Sequence, residues 1–109
     1  MDNEDAVINL FALAHPGRLN VFRTIVAAGV DGLAAGKIAK SVGMPANTAS
    51  THLSILTGAG LLSAYRDGRS IIYQANFPQM GSLLTYLVKD ACASDPVALK
   101  AFKDALSKG

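Results

Sequence analysis

The sequence predicts a mainly α-helical protein with one small β-hairpin, in the order ααααββαα. Two observations carry this. Apolar residues recur at helical spacing through six segments separated by Gly and Pro. The period shifts to short strand-like runs only between Leu62 and Gln74, around an Asp67-Gly68 turn. The chain has 109 residues, the size of one domain. Half of it is hydrophobic and 17% is charged, which excludes a disordered or fibrous chain. A single cysteine excludes an internal disulfide framework and a multi-cysteine zinc knot. A lone thiol fits a reducing compartment, so a cytoplasmic location is expected. No apolar run nears the ~18 residues of a membrane span, and the acidic opening MDNEDAVINLF does not resemble a signal peptide. No membrane partner is expected.

The first helix, about residues 4–14, carries Val7, Leu10, Phe11 and Ala14 at helical spacing. His15 precedes Pro16 and so avoids the helical region, and Pro16 then opens a second helix with Leu19, Phe22, Ile25 and Val26. Gly29 is its expected stop, and Val30 to Leu33 form a turn. A third helix from about Ala34 to Val42 presents Ile38, Ala39 and Val42 inward. Pro45 opens a fourth through Gly58, with Ala49, Leu53 and Leu56 inward. Its other face holds Asn47, Thr48, Ser50, Thr51, His52 and Ser54. Strands Leu62–Tyr65 and Ser70–Gln74 flank Arg66-Asp67-Gly68-Arg69. A helix of about 78–93 repeats Met80, Leu83, Leu84, Leu87, Val88 and Ala91. Asp95-Pro96 recaps the chain into a last helix with Val97, Leu99, Phe102 and Leu106.

Charge is concentrated in the middle. Between Leu33 and Ala75 lie Lys37, Lys40, Arg66 and Arg69 against Asp67 alone, and residues 41–66 contain no acid. The rest of the chain carries one more acid than base. Two helices joined by a tight glycine-containing turn form a helix-turn-helix. Its second helix must anchor one face in a core and offer small hydrogen-bonding groups to base edges with the other. The polar face from Asn47 to Ser54 meets that need. The hairpin, with arginines on both sides of its turn, forms a wing able to reach phosphate or minor groove. Lys37 and Lys40 support backbone contacts. Each feature alone also fits a solvated surface; together, in one contiguous segment, they point to double-stranded DNA.

The runs LAHPGRL (Leu13 to Leu19), IAKSVG (Ile38 to Gly43), NTASTHLSIL (Asn47 to Leu56), AGLL (Ala59 to Leu62) and DGRSIIY (Asp67 to Tyr73) resemble the ArsR/SmtB family of bacterial transcriptional repressors. The resemblance covers about residues 6–92. It implies a winged helix-turn-helix homodimer, with the helix from Pro45 as recognition helix and Arg66 to Ser70 as wing. It implies dimerisation through the first helix and the helix from Pro78, which brings in Val7, Leu10, Phe11, Met80, Leu83, Leu84, Leu87 and Val88. The apolar seams of these two helices also allow simple packing on their own core. A two-fold dimer would read an imperfect inverted repeat.

Family members commonly release DNA on binding a metal, a metalloid or an oxidant. Here the third helix carries no thiol, and the region of the fifth offers only Asp90 among the positions where one type of zinc sensor has its ligands. No metal and no cofactor are expected. The segment ending Asp90-Ala91-Cys92 resembles an arsenic-sensing subgroup, but Ala91 stands where its first thiol would be. Cys92 is open to three readings: a small buried hydrophobe, a redox-reactive thiol, or a residual metalloid ligand. No paired carboxylates, activated nucleophile or phosphate loop point to an enzyme. The sequence thus predicts a single winged helix DNA-binding domain over 1–109. The alternative is a winged helix protein-interaction module without sequence-specific DNA binding.

Overall fold

The computed structural model describes residues 1–90 and 95–109. Helices α1 (Asn3–Leu13) and α2 (Pro16–Ala27) are followed by a 3₁₀ turn at Gly29–Asp31. Then come strand β1 (Leu33–Ala34), α3 (Ala35–Val42), α4 (Ala46–Gly58), β2 (Leu62–Asp67) and β3 (Ser70–Ala75). Helix α5 (Phe77–Thr85) runs into a π-helical turn at Tyr86–Asp90, and α6 (Pro96–Lys108) ends the chain. The expected order of helices and hairpin holds. The hairpin gains a third strand, giving a sheet in the order β1-β3-β2 with both pairings antiparallel.

The core is built where α2, α3 and α4 converge on the base of the hairpin. Val21, Ile25, Ile38, Leu53, Leu56 and Leu61 are its most enclosed large side chains. Helix α2 turns Val21, Phe22 and Ile25 inward, while Leu19 stays exposed. Its N-terminus is capped by His15, whose Nδ1 accepts from the backbone N–H of Gly17 at 3.0 Å and of Arg18 at 3.4 Å. Arg18 in turn donates from Nε to the Ala12 carbonyl at 2.7 Å, satisfying the end of α1. The link between α1 and α2 is therefore held by two reciprocal caps.

The expected stop at Gly29 holds: α2 ends at Ala27, Ala28 caps it, and Gly29 follows with a φ of +75°. Two expected boundaries move. The segment expected as a turn before α3 contributes Leu33 and the adjoining Ala34 to β1, which pair with Tyr73 and Ile72. The helix expected over 78–93 changes at Tyr86, where the π-helical turn adds a residue to the repeat and takes Leu87 and Val88 off the α5 stripe. Ala91 lies outside the described residues.

Helix α1 is inverted relative to a simple amphipathic reading. Its buried residues are Ala6, Asn9 and Ala12, whereas Val7, Leu10 and Phe11 are exposed. Small side chains face inward and large apolar ones outward. On α5, Leu83 is buried and Met80 packs against the core of the same chain. Leu84 is exposed, and Leu87 and Val88 are half-buried.

Gly32 makes the junction between the 3₁₀ turn and β1. Its φ is +72°, and a Cβ there would run into the Tyr73 carbonyl oxygen on the paired strand. Gly32→Ala is expected to lower unfolding stability by about 1–3 kcal/mol. Gly36→Ala, in the first turn of α3 with open space around it, is expected to change it by less than about 1 kcal/mol. Urea unfolding of both variants checks this; equal losses would contradict it.

Candidate nucleic-acid interface

The rotation of α4 decides which side chains reach solvent. Ala49, Leu53 and Leu56 are buried at 1%, 1% and 0% exposure. That stripe turns Asn47, Thr48, Ser50, Thr51 and Ser54 outward, and all five are exposed. The exposed surface is uncharged and short. Thr51 Oγ1 donates to the Asn47 carbonyl at 3.1 Å, which holds one hydroxyl against the helix. No side chain caps the N-terminus of α4, although Asn47 Oδ1 accepts from the Thr48 N–H at 3.0 Å.

Helix α3 and strand β2, which pack on α4, and the hairpin turn carry exposed cations. Lys37 and Lys40 are exposed on α3, Arg66 on β2 and Arg69 in the hairpin turn. Among the described residues none of the four is in an ion pair; a pair between Lys100 and Asp104 lies on α6. Arg66 sits opposite Ile71, on the hairpin face that at its base carries buried Leu62 and Ala75. Beyond the core that face becomes open surface, so Arg66 is exposed despite its inward register. Arg69, Ser70 and Ile71 face Ala34, Ala35 and Gly36 across a cleft of about 290 Å³. The cleft brings Arg69 to the first turn of α3, whose N-cap residue Ala34 makes no side-chain cap. Uncapped N–H groups and a guanidinium therefore share one anion-attracting surface.

His52 is corrected. It was expected on the polar face but is buried, with 8% of its surface exposed. Position 52 lies one helical turn from both Ala49 and Leu56, so it belongs to the inward stripe. Its ring packs against His15, with centroids 4.9 Å apart and planes tilted by 46°. Gly17 makes that approach feasible, since a Cβ there would stand 2.8 Å from His52 Nε2. His52 Nδ1 is buried and has no hydrogen-bond partner among the described residues. His52 thus braces α4 against the start of α2.

A polar network that the sequence reading missed ties α4 to the flanking helices. Buried Asn9 donates to the Asp5 carbonyl at 2.8 Å and to the Ala59 carbonyl at 3.3 Å. Its Oδ1 accepts from Gln79 Nε2 of α5 at 3.1 Å. Asn76 donates to the Gly60 carbonyl at 3.0 Å and accepts from the Gln79 N–H at 3.2 Å. The one available signal was a lone polar residue, Asn9, amid the apolar residues of the first helix. The Tyr86 hydroxyl also donates to Asn3 Oδ1, fixing the π-helical turn beside α1. Among the described residues no three His, Cys, Asp or Glu side chains gather to hold a metal. Cys92 lies outside the described residues.

A helical pair with an uncharged outward face, followed by a hairpin carrying arginines, defines a winged helix-turn-helix protein. A family model for a helix-turn-helix domain matches residues 13–63. An uncharacterized HTH-type transcriptional regulator of Mycobacterium tuberculosis is 32% identical over 72 residues, 66% of this chain and 61% of that protein. NolR from Sinorhizobium fredii is 31% identical in its crystal structure, with a TM-score of 0.61 over 79% of this chain and 83% of that one. A homodimeric winged helix-turn-helix DNA-binding domain from Mycobacterium bovis, of a possible ArsR-family transcriptional regulator, is 29% identical, with a TM-score of 0.65 over 80% of each chain. The chain belongs to the ArsR/SmtB-like family of winged helix-turn-helix regulators. It spans about three fifths of the length of the curated relatives it matches. No described helix is long and apolar enough to cross a membrane.

The His52 pKa is held below the usual histidine value of 6.5, first by burial and then by the nearby His15 and Arg18. In the unfolded chain the ring takes up its proton near that ordinary value, and in the folded chain only at lower pH. The unfolded state therefore binds more protons in between, and stability falls as pH drops below about 6.5. The contribution is complete above that pH and is lost on the way down through the folded pKa. Urea midpoints should decline below about pH 6.5 in the native chain, and less steeply in His52→Gln. Identical declines would show that His52 does not carry the effect.

Proposed function

We propose that the chain is a sequence-specific DNA-binding transcriptional regulator, acting as a homodimeric repressor. The observation that carries this reading is the rotation of α4. Its buried stripe leaves Asn47, Thr48, Ser50, Thr51 and Ser54 as an uncharged hydrogen-bonding face, while α3 and the hairpin carry exposed cations without acidic partners. Such a face suits major-groove base edges, while Lys37, Lys40, Arg66 and Arg69 suit phosphate or minor groove. The site requires no catalytic group, metal or cofactor for this task.

Homodimerisation is supported by the outward face of α1. Val7 and Phe11 are 60% and 69% exposed, Leu10 is exposed beside them, and α5 adds Leu84. Exposed apolar side chains of this size fit a second copy. The homodimeric Mycobacterium bovis domain supports the same assembly. Two recognition helices related by a two-fold axis would meet half-sites about 34 Å apart, hence an imperfect inverted repeat. The reading implies a cytoplasmic protein.

Arg69→Ala should weaken binding to all sequences and reduce the slope of log K against log salt by about one unit. Ser50→Ala or Thr51→Val should instead alter base preference and leave the slope unchanged. Anisotropy titrations at several salt concentrations separate the two. A changed preference with an intact slope in Arg69→Ala would contradict the wing assignment.

A further inference from the structure

Two titratable rings, His15 and His52, meet where α4 packs on the start of α2. Each is held in a form that keeps a proton off one nitrogen. His15 Nδ1 accepts from the backbone N–H groups of Gly17 and Arg18, so it caps α2 only while its lone pair is free. His52 Nδ1 is enclosed and has no partner among the described residues. The neutral ring can leave that nitrogen as a bare lone pair. An imidazolium carries N–H on both nitrogens, and here one of them would be a buried donor without an acceptor.

The surroundings oppose the charge as well. Helices α1, α2 and α3 and strand β2 all pack on α4. From α2 the ring meets His15 and Arg18. Helix α3 brings Lys37 and Lys40. Strand β2 brings Arg66 and Asp67, and Asp67 stands at the hairpin turn opposite Ser70. The acids of α1, Asp2, Glu4 and Asp5, lie at its start, and Asn9, a turn further on, already reaches Ala59 past the end of α4. Among the described residues no carboxylate is set against His52 to receive a proton's charge.

The seat also depends on an absent side chain. A Cβ at Gly17 would stand 2.8 Å from His52 Nε2 and 3.1 Å from His15 Cε1, so the two rings use the space that a larger residue would take. If His52 leaves, nothing at position 17 fills the gap. The ring can leave only by rolling α4 or by swinging out beside Thr48 and Thr51, one turn back and next to it on the exposed face. Either movement changes that face.

We propose that the His15–His52 contact is a proton-operated release, in which acid drives His52 from its seat, the exposed face of α4 loses its setting and the chain lets go of DNA. The inference rests on the DNA-binding reading and adds a regulator to it, the proton. The direction is diagnostic. Histidines that lie exposed against DNA gain charge in acid and hold phosphate more tightly. A chain braced by a neutral histidine holds DNA less tightly. In its seat His52 takes up a proton only below the ordinary value of 6.5. Affinity is therefore level above about pH 6.5 and falls at lower pH, approaching tenfold per pH unit for each subunit on the DNA.

The probe is a fluorescent duplex enriched from a random library by the native full chain at about pH 7.5. Anisotropy titrations at constant ionic strength follow affinity from there to about pH 5, and circular dichroism follows helix content over the same range. Native affinity should fall while helix content holds. His52→Phe and His52→Gln, each normalised to its own affinity at the upper pH, should give level profiles; two variants are used so that one misfolded chain does not decide the result. His15→Asn keeps a capping oxygen but removes the neighbouring ring and its charge, so its fall should move to higher pH. A brace that is only structural would lower affinity without changing the shape of any profile. Affinity that rises or stays level in acid would overturn the proposal. So would an equal fall in both His52 variants, a fall that merely tracks loss of helix, or an unmoved profile in His15→Asn. A native chain that enriches no duplex would remove the DNA-binding reading and this inference with it; a level native profile on an enriched duplex would remove the inference alone.

Discussion

Everything the protein offers to a ligand depends on how α4 is pinned. Leu53 and Leu56 are wholly enclosed, and burial of two such side chains is worth about 3–6 kcal/mol. Turning the helix by one residue would carry Ser50 and Leu53 toward each other's places. A buried hydroxyl without a partner costs about 1–3 kcal/mol, and an exposed leucine forfeits its burial. The outward face is therefore fixed by the inward one. The brace of His52 on His15 and Gly17 secures the same rotation from the side of α2. Loss of that brace would free the helix without touching any residue of its exposed face.

The second constraint is the inversion of α1. Its inner face is small because α1 lies close to α2 and α4, and only alanine and one asparagine fit there. Asn9 is tolerated at 2% exposure because its amide groups find carbonyl and amide partners on α1, α5 and the end of α4. The large apolar residues are left outside, where a monomer gains nothing from them. Asn9, Gln79 and Asn76 connect α1 and α5 to the turn that ends α4.

The legible parts of the sequence were those set by local chemistry. Ala49, Leu53 and Leu56 repeat at helical spacing, Asp67-Gly68 turns a hairpin, and Asp95-Pro96 starts a helix by accepting from Val97 and Ala98. What escaped was set by distant contacts. Spacing identifies a stripe on α1 but not the side of the helix that meets the core, so Val7 and Phe11 could not be placed. His52 was read outward because it is polar, although its position shares the stripe of Ala49 and Leu56. Strand β1 has two residues and exists only through pairing with Tyr73 and Ile72 far along the chain. The π-helical turn at Tyr86 breaks a Leu/Val repeat that looks continuous in one dimension.

Selection of bound sites from a random duplex library, with reduced native protein at physiological salt and excess competitor, tests the central claim most directly. The account predicts an enriched imperfect inverted repeat whose half-sites lie about one helical turn apart. Binding that disappears under competitor, with no site enriched, would contradict it and leave the exposed face of α4 to a protein partner.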